Sequence, residues 1–208
     1  CWRGTPFLTG LVCDACGTAL PGTDGEDVLC DECLVMQRPW HAGRAAVAYR
    51  GAGRRVVLAL KHADRLDLVP ACAEWMVRSG QPFLPDKPVL VPIPAHWTRL
   101  LTRRYNQAAE LCRYVAKLSG CDAMPDALLR TKRTPKQDGM TVDERFANML
   151  QAIAANPKAG TGLAGREDCL IDDVMTSGAT LTAATEVLYD MGAARVYALV
   201  LARVEKAP

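Results

Sequence analysis

Two pairs of cysteines near the N-terminus constrain this chain of 208 residues more than any other feature of its sequence. The pairs are Cys13-Asp-Ala-Cys16 and Cys30-Asp-Glu-Cys33, and 13 residues separate them. Four thiolates satisfy a tetrahedral Zn²⁺, and a two-residue gap lets both sulfurs of a pair reach one ion. The segment between the pairs has few large apolar residues, so a metal ion would have to hold it. Residues 1–38 are therefore predicted to form a small module around structural zinc.

The same cysteine pattern has two other interpretations, a disulfide framework in a secreted protein and a redox-active dithiol. Nothing else in the sequence is typical of an extracellular protein. Two clustered pairs also suit one metal ion better than they suit one active dithiol. Structural zinc is therefore the preferred prediction. The later cysteines Cys72, Cys112 and Cys169 lie among apolar residues and are expected to be inert parts of the core.

Composition and charge exclude several classes of protein. Half of the residues are hydrophobic and 23% are charged, which argues against a disordered or coiled-coil chain. No apolar stretch approaches the roughly 18 residues of a membrane helix, and no signal peptide is visible, so we expect a cytoplasmic protein without membrane insertion. The net charge is +2, but the first 35 residues are acidic and the remainder is basic. This moderate basic excess fits an anionic ligand and does not demand nucleic acid.

Beyond residue 38, strand-like and helix-like segments alternate. Val89–Ile93, Cys169–Ile171 and Val196–Ala202 have the apolar character of buried strands. Asn106–Leu118 and Thr180–Met191 have apolar residues at helical spacing. This alternation predicts an α/β fold with a parallel sheet flanked by helices, whose ligands bind at the carboxyl ends of the strands.

The part of the chain after the cysteine module is predicted to form one further domain, residues 39–208. It begins with a strand-like stretch at Ala45–Arg50 and two helical stretches. A turn-rich segment, Gly80–Pro88, marks a boundary, so the core sheet is expected to start at about residue 86.

One run, LIDDVMTSGAT at residues 170–180, carries most of the chemical information. An apolar strand ends in two carboxylates, a loop with hydroxyls and a glycine follows, and a helix begins. N–H groups at a helix start bind anions, and a glycine lets a phosphate approach the backbone closely. Adjacent acids suit the vicinal hydroxyls of a ribose, directly or through Mg²⁺-bound water. The predicted sugar-phosphate site consists of Asp172, Asp173, Val174, Met175, Thr176, Ser177, Gly178, Ala179 and Thr180.

The alternative for this run is a capped helix with a solvated acidic turn. We favour a binding site because the acids, hydroxyls and glycine occur together in the pattern of phosphoribosyltransferases, which use phosphoribosyl pyrophosphate. Other phosphate-binding motifs are absent or lie in the wrong position. The sequence contains no GxxxxGK[ST], and the GxGxxG match at residues 160–165 precedes a predicted strand where the motif should follow one.

Several further motifs occur in a characteristic order behind the cysteine-rich segment. Together with residues 172–180 they resemble the ComF family, zinc-ribbon phosphoribosyltransferase-like proteins linked to DNA uptake in competence. Arg104 stands where the family usually has glycine, and Thr176 stands where purine-salvage relatives have an acid. The motifs are Tyr49–Gly51, Leu60–His62, Val91–Pro94, Arg99, Arg103–Ala108, Arg133–Gln137 and Glu144–Arg145 with Asn148.

The resemblance implies a type I phosphoribosyltransferase fold that binds phosphoribosyl pyrophosphate and Mg²⁺. It also implies that the module at residues 1–38 is truncated upstream, since family members have a longer ribbon. Basic side chains near the ligand edge would stabilise the negative charge of departing pyrophosphate, although each has the alternative of a solvated surface position. These candidates are Arg99, Arg103, Arg104, Arg133, Lys136 and Arg145.

Two functions remain open at this point. The first is an enzyme that transfers the phosphoribosyl group to an unidentified acceptor. The second is a non-catalytic module that binds single-stranded DNA and partner proteins in competence, which the resemblance and the basic body of the chain favour.

Overall fold

A computed structural model describes residues 4–23, 25, 28–62, 65–95, 105–131, 152–159 and 162–205. Helices and strands alternate along most of this part of the chain, as the sequence predicts. The elements are α1 (Asp31–Val35), β1 (Ala42–Ala48), α2 (Gly51–His62), α3 (Val69–Ser79), β2 (Val89–Pro92), α4 (Gln107–Ser119), β3 (Leu128–Arg130), β4 (Ile153–Ala155), β5 (Glu167–Met175), α5 (Ala179–Asp190) and β6 (Arg195–Arg203).

Four strands form one parallel sheet in the order β1-β6-β5-β2. In β6 every residue after Arg195 is buried. Central strands of a parallel sheet are covered on both faces, so they consist of nearly continuous apolar residues. The strands β3 and β4 pair with each other in a separate antiparallel ribbon. The parallel sheet with flanking helices confirms the predicted α/β fold.

The strand that leads to the predicted site is longer than the sequence indicates. The prediction that it ends at residue 171, before the two carboxylates, is wrong. Asp172 lies opposite Val200 and Val174 lies opposite Ala202, so both acids are part of β5. Pairing with the long buried strand β6 extends β5, because each added pair of residues satisfies backbone N–H and C=O groups with hydrogen bonds.

The sheet also begins earlier in the chain than residue 86. β1 lies next to β6 as an edge strand, with Val47 opposite Ala202 and Ala42 opposite Tyr197. The sequence pattern does not predict the short strand β4. The domain bounds 1–38 and 39–208 remain a prediction.

Helices pack on both faces of the sheet and form two cores. Leu188 of α5 packs with Leu170 of β5 on one face. Met76 of α3 and Leu111 of α4 pack with Ile171 on the other face. Burying one such side chain contributes about 1.5–3 kcal/mol to folding. Within the described part of the chain, none of the helices has the length and apolarity needed to cross a membrane.

The cysteine module packs against β1. The indole N–H of Trp40 donates to the carbonyl oxygen of Ala15 at 2.6 Å. Gly17, which follows the first cysteine pair, has a φ of +71°, and a Cβ there would lie 2.5 Å from the backbone nitrogen of Ala45. Only glycine fits both the turn and this close approach.

Candidate phosphate-binding loop and cysteine centre

The four cysteines of the predicted zinc site converge. Their Sγ atoms all lie within 4.8 Å of one another, and those of Cys16 and Cys30 are 3.7 Å apart. A tetrahedral ion with Zn–S bonds of about 2.3 Å needs sulfurs about 3.8 Å apart. Cys13 and Cys33 are buried beside them, and all four are free thiols. The set therefore fits a tetrahedral, thiolate-binding metal ion.

The charge state of these thiols also suits a cation. Hydrogen bonds from Cys16 and Cys33 hold the pKa of Cys13 well below its usual range. The same contact with Cys13 raises the pKa of Cys16 to about 11 and that of Cys33 still further, while burial also favours the neutral thiols. Four thiolates can exist together here only around a cation that offsets their charge, so metal binding must release protons.

The predicted sugar-phosphate loop lies between β5 and α5 and comprises residues 176–178. Gly178 has a φ of +85° and is the N-cap of α5. The Ser177 hydroxyl accepts the Ala179 N–H at 3.4 Å. Within the described residues, the N–H groups of Thr176, Ser177, Gly178, Thr180 and Leu181 have no acceptor. Unpaired N–H groups at a helix start create a positive potential that attracts anions.

The loop lies at the predicted edge of the sheet. Met175, the last residue of β5, is opposite Arg203 of β6, and Ala48 of β1 is opposite the same residue. These three strands are parallel, so the loop emerges at their carboxyl ends. β2 stops earlier, with Pro92 opposite Ile171. The last four residues of β5 therefore extend past β2 at the edge where α/β proteins bind ligands.

The two acids point to different sides of β5, because successive side chains of a strand alternate. Asp172 lines a cleft beside the start of α5. Asp173 instead forms an ion pair with Lys61 of α2 at 3.1 Å. Burial, reinforced by the nearby Asp173, raises the pKa of Asp172 to about 7, with Lys61 and Arg130 opposing the rise. Asp172 can therefore exist in either protonation state near neutral pH.

The cleft beside the loop is small and open. It encloses about 180 Å³, including space open to solvent, which is less than the 300–1,000 Å³ of a typical small-molecule pocket. Ser177 is buried and lies outside its lining. The residues that line it are Asp172, Val174, Met175, Thr176, Gly178, Ala179, Thr180 and Leu181.

Residues that no sequence motif marks hold the carbonyl side of the loop. Arg203 donates to the carbonyl oxygen of Thr176 at 2.6 Å, and Arg38 donates to that of Ser177 at 2.5 Å. Glu32 pairs with both guanidinium groups, with Arg38 at 3.1 Å and Arg203 at 2.8 Å. These residues match no motif. In the sequence, only the position of Arg203 at the end of an otherwise apolar strand indicates a role at this edge.

Three residues of the predicted motif Arg103–Ala108 have structural contacts near the same edge, and one of these contacts joins the Gln107 side-chain amide N–H to the carbonyl oxygen of Leu60 at 3.4 Å. Tyr105 donates to the carbonyl oxygen of Leu60 at 2.8 Å. Asn106 donates to the carbonyl oxygen of Ile93 at 2.9 Å and accepts the N–H of Ala108 at 3.1 Å. The six predicted basic candidates all lie outside the described residues. They are Arg99, Arg103, Arg104, Arg133, Lys136 and Arg145.

The fold and the loop define this chain as an α/β protein with a candidate phosphate site beside a four-cysteine centre. Its sequence is 28% identical over 200 residues to DNA utilization protein YhgH of Escherichia coli K12, covering 92% of this chain and 84% of that protein. It is 28% identical over 126 residues to Competence protein F of Haemophilus influenzae, covering 61% of this chain and 54% of that protein. These relatives confirm the resemblance to competence-associated proteins. No family model matches the chain.

Similar solved structures are phosphoribosyltransferases. HGPRT-ase from Leishmania tarentolae in complex with GMP is 16% identical, with a TM-score of 0.34 and coverage of 73% of this chain and 68% of that chain. Purine phosphoribosyltransferase from Pyrococcus horikoshii Ot3 is 15% identical, with a TM-score of 0.33 and coverage of 74% and 82%. The α/β class rests on the parallel sheet itself.

Proposed function

We propose that this chain is a ComF-like protein that binds phosphoribosyl pyrophosphate, with Mg²⁺, at the loop between β5 and α5. One observation carries the proposal: five N–H groups of residues 176–181 have no acceptor among the described residues, next to Asp172 at the carboxyl edge of the sheet. Amides arranged in this way bind a phosphate monoester, and adjacent carboxylates bind ribose hydroxyls. The resemblance to the ComF family supports the same ligand.

Each group of the site has a distinct role in this proposal. The loop amides hold the 5′-phosphate, and the hydroxyls of Thr176 and Thr180 can add donors. Asp172 binds the ribose hydroxyls directly or through water, while Asp173, which points to the other side of β5 and pairs with Lys61, would reach them through Mg²⁺-bound water. Mg²⁺, bound with the ligand, would neutralise pyrophosphate charge and favour the ionised form of Asp172.

We further propose that the bound sugar is a donor in group transfer. The bond from ribose C1 to the pyrophosphate oxygen breaks, pyrophosphate leaves with the electron pair, and C1 bonds to an acceptor nucleophile. Such a reaction passes through a state resembling an oxocarbenium ion, so positioning of the two partners matters more than a strong base. Release of pyrophosphate in the presence of candidate acceptors is the measurement that tests this step.

Calorimetric titration with phosphoribosyl pyrophosphate and Mg²⁺ tests the binding proposal. Wild-type protein should bind, and Asp172→Asn should weaken binding about 10–100-fold, as expected for loss of a charged hydrogen-bond partner. Glu167→Gln is the matched control, because Glu167 lies at the opposite end of β5 in an exposed pair with Arg195. Absence of binding heat for folded wild-type protein at millimolar ligand would refute the proposal.

Asp173→Ala distinguishes a ligand role from a structural role for the second acid. We expect weaker ligand binding with only a small loss of stability, because the paired Lys61 is 26% exposed and can be solvated. Thermal unfolding and titration of the same sample give both quantities. A variant that fails to fold would show that Asp173 is primarily structural.

A structural Zn²⁺ bound by Cys13, Cys16, Cys30 and Cys33 is also proposed. The 3.7 Å separation of the Cys16 and Cys30 sulfurs supports it, because this distance matches an edge of a zinc tetrahedron. The ion would supply cross-links for a module that has little apolar core of its own.

Binding of single-stranded DNA is the second candidate function. The names of the relatives favour it, and three exposed arginines, Arg50, Arg54 and Arg55, lie at the start of α2. The double change Arg54→Ala and Arg55→Ala should weaken binding of a labelled single strand and reduce its salt dependence. Arg65→Ala is the control, because Arg65 is already paired with Asp67 at 2.7 Å. Absence of binding to the labelled single strand at low salt would exclude this function.

A further inference from the structure

The cysteine centre and the candidate phosphate loop are joined by three charged side chains. The Glu32 carboxylate pairs with Arg38 through one oxygen and with Arg203 through the other, at 3.1 and 2.8 Å. The side chains of Arg38 and Arg203 are 1% and 2% exposed, and that of Glu32 is 16% exposed. Buried charges are retained only when each is paired, so these three residues are held as one unit.

Glu32 moves with the cysteine centre because it lies between two of the proposed ligands. It belongs to the short helix α1, and backbone N–H groups of Cys33 and Leu34 donate to the Cys30 carbonyl oxygen at 2.8 and 2.9 Å. A metal ion bound by Cys30 and Cys33 would therefore fix the position of the Glu32 backbone. Neither cysteine contacts the loop through any hydrogen bond within the described residues.

The two arginines set the direction of the loop amides. In a trans peptide the carbonyl oxygen and the next N–H point in opposite directions. Arg203 holds the Thr176 carbonyl inward, which turns the Ser177 N–H away from it. Arg38 holds the Ser177 carbonyl inward, which turns the Gly178 N–H away in the same manner. These N–H groups are two of those without an acceptor among the described residues.

We propose that the four-cysteine centre positions the phosphate-binding loop through Glu32, Arg38 and Arg203, so that metal occupancy and ligand binding are coupled. Glu32, Arg38 and Arg203 are positioning residues, and the ligand part of this inference rests on the proposed function. Coupling between two sites is reciprocal, and typical values change affinity about 5–150-fold. Metal loss should therefore weaken ligand binding, and bound ligand should in turn raise the affinity of the chain for the metal.

Hydrogen exchange of the loop amides tests the positioning role without any ligand. In the metal-loaded full chain, Glu32→Gln should speed exchange of the amides of residues 176–181 about tenfold or more and leave α4 unchanged. Asp31→Asn is the matched control, because Asp31 is the exposed preceding residue of α1. Metal content is measured in both variants. Equal loop exchange in Glu32→Gln and wild-type protein, with equal metal content, would overturn the inference.

A second variant keeps the inference testable if Glu32→Gln loses its metal or fails to fold. Arg38→Lys keeps the positive charge but cannot donate from a planar fork to both Ser177 and Glu32. It should speed hydrogen exchange of the same amides. Loop exchange equal to that of wild-type protein would also overturn the inference. Removing the metal from wild-type protein with a chelator should give the same local increase in exchange.

Reciprocity is tested by equilibrium competition for the metal with a coloured chelator. Phosphoribosyl pyrophosphate with Mg²⁺ should raise the chelator concentration that removes half of the metal from wild-type protein about 5–150-fold and have a smaller effect on Glu32→Gln. Equal protection of both proteins would refute the coupling. If wild-type protein does not bind this ligand, the proposed function fails, whereas the exchange experiment still decides whether the three residues position the loop.

Discussion

Gly178 shows how a single position can serve both conformation and packing. Its φ of +85° lies in the left-handed region, and a Cβ would lie 2.9 Å from Arg38 and 3.0 Å from Trp40. The loop can therefore accept no side chain at this point. The consequence is that the loop packs closely against Arg38 and Trp40.

Gly178→Ala should destabilise the chain and weaken ligand binding. The strained backbone costs about 1–2 kcal/mol, and the clash with Arg38 and Trp40 adds about 1–3 kcal/mol. Gly165→Ala is the control, since Gly165 has a similar φ of +73° but has nothing within 4 Å of its Cβ position. Urea unfolding measures both variants. Equal losses of stability would show that packing at Gly178 is unimportant.

Asp168 is a buried acid at the start of β5. It is fully buried, and neither carboxylate oxygen has a hydrogen-bond partner among the described residues. Burial raises the pKa of Asp168 to about 7, with Arg166 opposing the rise. The folded chain therefore binds a proton at Asp168 that the unfolded chain releases at about pH 4.

This raised pKa predicts the sign of a pH dependence. A carboxyl with a raised pKa stabilises the folded state below its unfolded pKa, and that contribution is lost as pH rises to about 7. Asp168→Asn cannot ionise, so its unfolding free energy should fall less than that of wild-type protein from pH 5.5 to 7, by about 1.4 kcal/mol per pH unit. Urea titrations at constant metal content measure the difference. Parallel pH profiles would contradict the assignment.

At the scale of elements, the predicted strands and helices near the site are largely correct. The helix predicted at Thr180–Met191 is α5, displaced by one residue at each end. Capping residues and glycines predict helix ends because each determines the backbone conformation of the few residues around it. The extension of β5 through both acids depends on pairing with β6, more than 20 residues later, and the local sequence pattern does not encode that contact.

The start of α4 is a second element whose geometry depends on one side chain. Asn106 caps the helix and also donates to the Ile93 carbonyl oxygen, which connects α4 to the end of β2. Asn106→Ala should lower the free energy of unfolding by about 1–2 kcal/mol. Asn106→Asp keeps the cap and loses only the donor, so it should cost less. Denaturant titration that ranks the two variants in the reverse order would contradict this interpretation.

At the scale of the whole molecule, the cysteine module and the sheet form one connected structure. The motif at residues 172–180 could be located from sequence because its residues are contiguous. The support from Arg38 and Glu32 could not, because Arg38 lies 139 residues before Ser177, and Glu32 lies 171 residues before Arg203. Contacts over such distances follow from topology, and topology is fixed only when all strands are placed.

Loss of one cysteine ligand should therefore affect more than the module. Cys30→Ser is expected to release the metal and to loosen both the module and the loop, while α4 keeps its protection from hydrogen exchange. Cys121→Ser is the control, because this buried cysteine lies outside the cluster and its sulfur contacts the Leu84 carbonyl oxygen at 3.6 Å. Metal analysis and hydrogen exchange measure the outcome. Full metal retention by Cys30→Ser would refute the assignment of this ligand.

The strand order has a consequence for synthesis of the chain. β1 emerges early from the ribosome, yet its neighbour in the sheet is β6, nearly 150 residues later. The cysteine module rests on β1, so its docking surface is incomplete until β6 has been translated. Nascent chains therefore pass through a long interval in which the cysteine thiols and an unpaired strand edge are both exposed, and early metal capture would protect them during this interval.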